Sequence, residues 1–243
     1  MLTSTQGFVF RTTAWSETSV IAKVFTLEGG LQSYMVKGVR SKGCKQNKQN
    51  LLQPLSYVDI TYYKNSKREL QYVKELKPAK QWCTIPFDFR KTAIVFFMTE
   101  LLYKTVREEE VNPFLFRHIE QELERLDEQE DSLAHFPITF MLSTASLLGI
   151  EPLNNYDHSC RCVFNLKEGC YVTNMECYKG REENLLSEEM SGVLYQYLSE
   201  DKDCMTATLP QRRQLLKSLL EYYKIHFDGL SNFQSHIVLH EVL

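Results

Sequence analysis

Apolar and polar residues alternate along the first 80 positions and then fall into a spacing of three and four, so the chain reads as a β half followed by a helical half. Gly7–Thr13 alternates loosely, and Ser19–Leu27 is rich in β-branched and aromatic residues. Glu28-Gly29-Gly30 supplies a hairpin turn, because glycine reaches the positive φ that tight hairpins need. Leu31–Lys37 alternates after it, and a polar stretch then interrupts the pattern as a loop. Leu55–Tyr63 places Val58, Ile60 and Tyr62 on one face and Tyr57, Asp59, Thr61 and Tyr63 on the other. A turn at Lys64–Lys67 leads into a fifth strand, Glu69–Leu76. Five short strands with one long loop after the third predict a small barrel or sandwich.

Pro78 and Pro86 bracket the change of period, which places a boundary near residue 80. Phe89–Arg107 is apolar nearly all round and predicts a buried helix. Phe114–Leu126 aligns Leu115, Ile119, Leu123 and Leu126 on one stripe, and Asp127–Asp131 reads as a solvated break. Leu133–Leu148 is a third helix, stopped by Gly149 and Pro152. Residues 155–180 differ: Cys162–Leu166, Lys167-Glu168-Gly169 and Cys170–Thr173 read as a hairpin with a glycine turn. Helical spacing returns at Ser187–Leu198, Pro210–Phe227 and Phe233–Leu243, with Ser187 as N-cap ahead of Glu188 and Glu189. The fold class is therefore α+β, with a five-stranded β domain at 1–80 and a mainly α-helical domain at 81–243. A small hairpin insert sits at about 155–180 within the latter.

Charge changes this picture more than composition does. The net charge is −3, yet residues 1–80 carry +8 and the remainder −11. Between Glu28 and Asp59 there is no acidic residue, while Lys37, Arg40, Lys42, Lys45 and Lys48 follow one another. Gly38 and Gly43 let this loop lie against a backbone, and Gln46, Asn47 and Gln49 add neutral donors. Tyr34, Tyr57, Tyr62, Tyr63 and Tyr72 on the flanking strands offer rings, of which one or two are expected at the surface. Cations that release counterions, beside rings that stack bases whatever their identity, are the physics of single-strand binding.

Other chemistry is excluded or weak. Gly38–Gly43 has Walker-type glycine spacing, but Cys44-Lys45 stands where Lys-Ser/Thr is required, so nucleotide hydrolysis is not indicated. Nucleophile-elbow, zincin, EF-hand and dinucleotide-binding patterns are missing. His236 and His240 stand one helical turn apart with no third ligand nearby. Cys160, Cys162, Cys170 and Cys177 have the spacing C-x-C-x7-C-x6-C, without the two C-x2–4-C knuckles that aim thiolates at one zinc. They are expected to be small apolar residues, with zinc as the alternative. No apolar run reaches the length of a membrane span, and the N-terminus has no signal-peptide pattern. With an odd count of seven cysteines, reduced thiols in the cytosol are expected.

Several quoted segments together resemble the RecO family of bacterial recombination mediators. Gly7-Phe-Val-Phe-Arg11 and Trp15-Ser-Glu-Thr-Ser19 are similar to its opening strand and first loop. Glu28-Gly-Gly30 and Met35-Val-Lys-Gly-Val-Arg40 resemble its third strand and the start of a basic loop. Leu51-Leu-Gln-Pro-Leu55, Glu69-Leu70, Lys74-Glu75, the stretch Phe136 to Pro152, Phe233-Gln-Ser235 and Val238-Leu239 continue the match in order. The resemblance implies an N-terminal OB-fold, a helical C-terminal domain and no enzymatic activity. It implies binding of single- and double-stranded DNA, strand annealing, and engagement of the single-strand binding protein. With RecR, such proteins help load RecA; they act in the cytoplasm, at the nucleoid. The DNA-contacting positions it carries over are Arg11, Lys37, Arg40, Lys42, Lys45 and Lys48. Many members hold zinc in two C-x-x-C pairs; this chain departs from that pattern, which implies a degenerate, zinc-finger-like hairpin. The rival readings are a generic OB-type module for RNA or single strands, which would lack the helical half, and an enzyme whose site is assembled from distant residues.

Overall fold

The computed structural model describes residues 1–39, 48–65, 67–107, 110–173, 182–199, 206–230 and 232–242. Five strands, β1 (Leu2–Ala14), β2 (Val20–Thr26), β3 (Gly30–Val36), β4 (Tyr57–Tyr63) and β5 (Leu70–Pro78), close into a barrel in the order β1-β2-β3-β5-β4. β1 is long enough to serve two neighbours: Leu2–Phe8 pairs with β4 and Gly7–Ala14 with β2. A bulge between Val9 and Arg11 bends it from one partner towards the other, which is how a short sheet closes on itself. Gly7 sits where both ladders overlap, and a Cβ there would meet a Val24 methyl at 2.5 Å. β3 and β5 pair in parallel; the other pairs are antiparallel.

Alternation fills the barrel from inside. Val9, Ala22, Val24, Tyr34, Val36, Val58, Ile60, Tyr62 and Leu76 form its core. Tyr34 and Tyr62 meet edge to face there, and burial, then the neighbouring Tyr62, raises the Tyr34 phenol far above its usual range. A second apolar layer lies outside the barrel, where Phe8, Phe25 and Tyr57 pack around Phe116 of α2 (Pro113–Glu128). Tyr57 faces outward, as its place in the alternation predicts, yet the helix covers it. Burial and the nearby Glu120 push its phenol up to about 12, and its hydroxyl donates to Gln6 Oε1 at 2.9 Å.

α1 (Phe89–Thr105) is capped by Asp88, whose carboxylate accepts the Arg90 N–H at 2.8 Å. Phe89 and Phe96 remain exposed on it, so the helix expected to be wholly buried has an open side. The charged break expected from Asp127 is corrected in part. Asp127 lies in the last turn of α2, and its carboxylate accepts the backbone N–H groups of Cys83, Thr84 and Ile85 at 2.8 to 2.9 Å. Lys91, itself buried, donates to Thr84 Oγ1 and to the Asp127 carbonyl. Asp127 therefore clasps the segment leaving the barrel, whereas Glu128, Glu130 and Asp131 are exposed as expected.

The change from strand to helix falls between Pro78 and Phe89. Compactness divides the chain later, into units Met1–Glu130 and Asp131–Glu241, because α1 and α2 pack with the barrel. The second unit holds α3 (Phe136–Leu147), the hairpin β6 (Val163–Asn165) and β7 (Cys170–Val172), then α4 (Glu188–Leu198), α5 (Leu209–His226) and α6 (Ser235–Val242). Gly149, at φ +76°, ends α3, and the Ile150 N–H closes back on the Ala145 carbonyl at 3.0 Å. Ser187 caps α4 by accepting the Met190 N–H, as read from the sequence. Phe164, Tyr171, Tyr222 and Tyr223 centre this unit's core, with Tyr223 donating to the Met141 carbonyl at 2.7 Å. No helix among the described residues is long and apolar enough to cross a membrane.

Candidate nucleic-acid interface

Strand register decides which basic and aromatic side chains share a surface. Interior residues of β2 and β3 are Val20, Ala22, Tyr34 and Val36, so Ile21, Lys23, Ser33 and Met35 point outward. Cross-strand pairing extends this outer face in two rows, Thr13–Ile21–Met35–Tyr72–Tyr63 and Arg11–Lys23–Ser33–Leu70. Of the five tyrosines with stacking potential, Tyr34, Tyr57 and Tyr62 are buried, while Tyr63 is 53% and Tyr72 37% exposed. Two surface rings is the number expected, and they are direct neighbours across β4 and β5.

Cations gather on Tyr72. The Lys37 ammonium lies 5.6 Å from its ring centre and the Arg68 guanidinium 6.0 Å. Lys37 follows β3, and Arg68 comes from the β4–β5 turn; the parallel pairing of β3 with β5 brings those two ends together. Lys48 also returns to this corner, its ammonium 3.4 Å from the Lys37 carbonyl. At the other end of the same loop, Gly38 takes φ +72° and the Val39 N–H donates to the Thr18 carbonyl at 2.8 Å. Val39 is buried in the barrel core, so the basic segment leaves from a fixed point beside the β1–β2 connection.

The carried-over positions are therefore distributed. Lys37 and Lys48 meet at the mouth of the loop; Arg40, Lys42 and Lys45 lie outside the described residues. Arg11 shares the outer face but stands at its far side, opposite Lys23, with its guanidinium 5.5 Å from the Tyr103 ring centre of α1. Arg68 was missed from the sequence. Its signal was there, since Lys64, Lys67 and Arg68 put three cations within five residues, but that stretch reads first as a turn. A surface with cations fixed around exposed rings can hold phosphates electrostatically while bases lie against the rings.

The cysteine region has different geometry. Cys160 Sγ lies 3.4 Å from Asp157 Oδ2, and Cys162 Sγ 3.6 Å from the Asp157 carbonyl. Cys170 pairs with Asn165 on the hairpin, three residues along from Cys162 or about 10 Å of strand. Thiolates on one tetrahedral zinc stand about 3.8 Å apart, given Zn–S bonds near 2.3 Å, a spacing that this backbone separation does not favour. Partial desolvation, then the Asp157 carboxylate, pushes the Cys160 thiol up; burial, then Glu168, does so for Cys170. Cys177 lies outside the described residues, among which no three His, Cys, Asp or Glu side chains converge as a metal site.

Two family models match the chain: one described as Recombination protein O N terminal over residues 1–82, the other as Recombination protein O C terminal over residues 86–231. Proteins named DNA repair protein RecO from Flavobacterium psychrophilum and Flavobacterium johnsoniae are each 31% identical over 245 residues, spanning 100% of this chain and 99% of theirs. The protein of the same name from Phocaeicola vulgatus is 30% identical over 247 residues, with the same coverage.

Proposed function

The chain belongs to the RecO family of DNA repair proteins, and from that premise we propose that it is a recombination mediator without covalent chemistry of its own. In this reading the barrel binds single- and double-stranded DNA and anneals complementary strands. With RecR it helps load RecA onto DNA coated by the single-strand binding protein, in the cytoplasm at the nucleoid. The mechanism is electrostatic: cations on the barrel neutralise phosphates of two strands and lower the repulsion that opposes their pairing. The observation that carries it is the Tyr72 corner, where Lys37 and Arg68 lie over the ring of Tyr72, Lys48 reaches the Lys37 carbonyl, and Tyr63 stands beside Tyr72. Arg11 and the loop cations Arg40, Lys42 and Lys45 are proposed to extend that contact. In this reading no zinc takes part.

A strand-annealing assay tests this directly. The protein should accelerate pairing of complementary oligonucleotides, and continue to do so when they are coated with single-strand binding protein. Failure on naked strands sinks the reading; failure on coated strands alone reduces it to a generic binder. Lys37→Glu with Arg68→Glu should weaken binding across sequences. On single strands the log–log salt slope should flatten by about 0.7 for each phosphate that is no longer neutralised. Unchanged affinity and slope would move the site elsewhere.

A further inference from the structure

Trp15 is a large exposed side chain of the barrel half that takes no part in the Tyr72 corner. It stands in the β1–β2 connection and is 65% exposed. A single exposed apolar residue is ordinary on a protein surface; what sets this one apart is how it is held and what lies beside it. The Trp15 N–H donates to the Ser19 carbonyl at 3.0 Å, the Ser16 N–H to the same carbonyl at 3.2 Å, and the Ser19 N–H to Ser16 Oγ at 3.2 Å. Ties of this kind fix the backbone that carries Trp15, so less backbone entropy is lost when the indole meets a partner. The next residue but one, Thr13, belongs to the outward row Thr13–Ile21–Met35–Tyr72, and the Thr18 carbonyl anchors Val39 at the start of the basic segment.

Five-stranded OB barrels bind oligonucleotides on the face of their second and third strands, between the β1–β2 and β4–β5 loops. Here each of those loops borders the face with an aromatic ring: Trp15 on the first, and Tyr72, clasped by Arg68, where the second re-enters the sheet. Lys37 follows β3, the strand between β2 and β5 in the barrel order, and its ammonium stands 5.6 Å from the Tyr72 ring centre. Three strand spacings, about 14 Å, separate Thr13, two residues before Trp15, from Tyr72 along this row, enough for a few nucleotides. We propose that Trp15 and Tyr72 are the two ends of one stacking track for unpaired bases, with Lys37 holding phosphate between them, and that Trp15 makes this protein's contact selective for single strands. The inference rests on the proposed DNA binding and refines it. In a duplex each base face is covered by its neighbours, so the indole has nothing to stack on, while phosphate contacts are unaffected.

The chain has two tryptophans, so Trp82→Phe leaves Trp15 as the sole indole. Titrating that variant with an oligo(dT) should quench its fluorescence in step with binding. Trp15→Ala should bind oligo(dT) about tenfold or more weaker, the loss of one base stack, with an unchanged salt slope and unchanged affinity for a duplex of equal length. Trp15→Phe should recover most of that affinity, which a merely structural role for the indole would not predict. If the wild type binds and anneals strands while Trp15→Ala matches it on oligo(dT) and the indole is not quenched, this inference falls and the mediator reading stands. If Trp15→Ala weakens duplex and single strand alike, the indole is no selector and the inference also falls. If the wild type itself binds no DNA, both fall together.

Discussion

Asp127 shows how one side chain holds the helices to the barrel's exit. Burial alone would raise its carboxyl, but three backbone N–H groups and the Thr84 hydroxyl overcome that and hold it below the ordinary carboxylate range. Replacing it with Ala leaves those donors without their acceptor, at about 2–3 kcal/mol for a charge-assisted set that solvent partly reaches. Urea denaturation at neutral pH should read that destabilisation. A carboxylate whose folded pKa is depressed contributes stability that is present above its unfolded pKa and lost as pH falls through the folded one. The difference between wild type and Asp127→Ala should therefore be constant above about pH 5 and shrink below about pH 4, with about 3.9 the usual unfolded value. A constant difference down to about pH 3 would show that the charge is not what matters. Gly30 is the second test at this scale. It takes φ +64°, and a Cβ there would strike the Glu110 carbonyl on the connection between α1 and α2. Gly30→Ala combines left-handed strain with a backbone clash and should cost at least about 2 kcal/mol in thermal or chemical unfolding.

At the level of elements, the local patterns carried the fold a long way. Four of the five barrel strands and the α-helices α1 to α6 stand within a few residues of the positions that periodicity, glycine turns and caps assign them, while β1 starts at Leu2 rather than Gly7, and the unread Leu2–Gln6 pairs with β4. What periodicity could not carry was non-local. Tyr57 lies on the outward face of β4, and only the arrival of Phe116 from α2 buries it. Asp127 sits in a run of acids that looks solvated until the turn at Cys83–Ile85 is placed beside it. The same limit governs the site. Lys37 and Tyr72 were legible as a cation and a ring, but their meeting depends on the parallel β3–β5 pairing, which no local signal announces. Arg68 hid in a stretch whose first reading was a chain reversal. The hairpin β6–β7 carries a prediction of its own. Gly169 turns it at φ +69° and the Asn165 side chain accepts the Lys167 and Glu168 N–H groups at 2.9 and 3.2 Å, so its shape is held by ordinary hydrogen bonds. Protein purified without chelator should contain well under one zinc per chain, and Cys160→Ser should leave its melting temperature within about one degree, because the residue is exposed and a serine hydroxyl can keep the hydrogen bond to Asp157. Stoichiometric zinc by elemental analysis would overturn this and return Cys160, Cys162, Cys170 and Cys177 to the role of ligands.

For the molecule as a whole, net charge and local charge make opposite forecasts. A protein at −3 should avoid a polyanion, and its barrel half at +8 should seek one. Screening decides between them, because at about 0.1 M salt a charge reaches about 10 Å before counterions mask it. A phosphate at the Tyr72 corner lies within that range of Lys37, Arg68 and Lys48. Binding should accordingly fall steeply with salt. If five of the six carried-over cations together with Arg68 make contacts, the single-strand slope is about −4, and raising salt from about 50 to 200 mM should weaken binding by roughly two to three hundredfold. Were the acidic half in control, added salt would relieve repulsion and strengthen binding instead. The two outcomes differ in sign, so a titration at four salt concentrations separates them. Under the proposed function, salt weakens the phosphate contacts, while unpaired bases stacked at Trp15 and Tyr72 would supply an attraction that salt does not remove. Holding strands loosely by phosphate and more firmly by unpaired base is the balance that annealing requires, since the grip on each base must be released as its partner arrives.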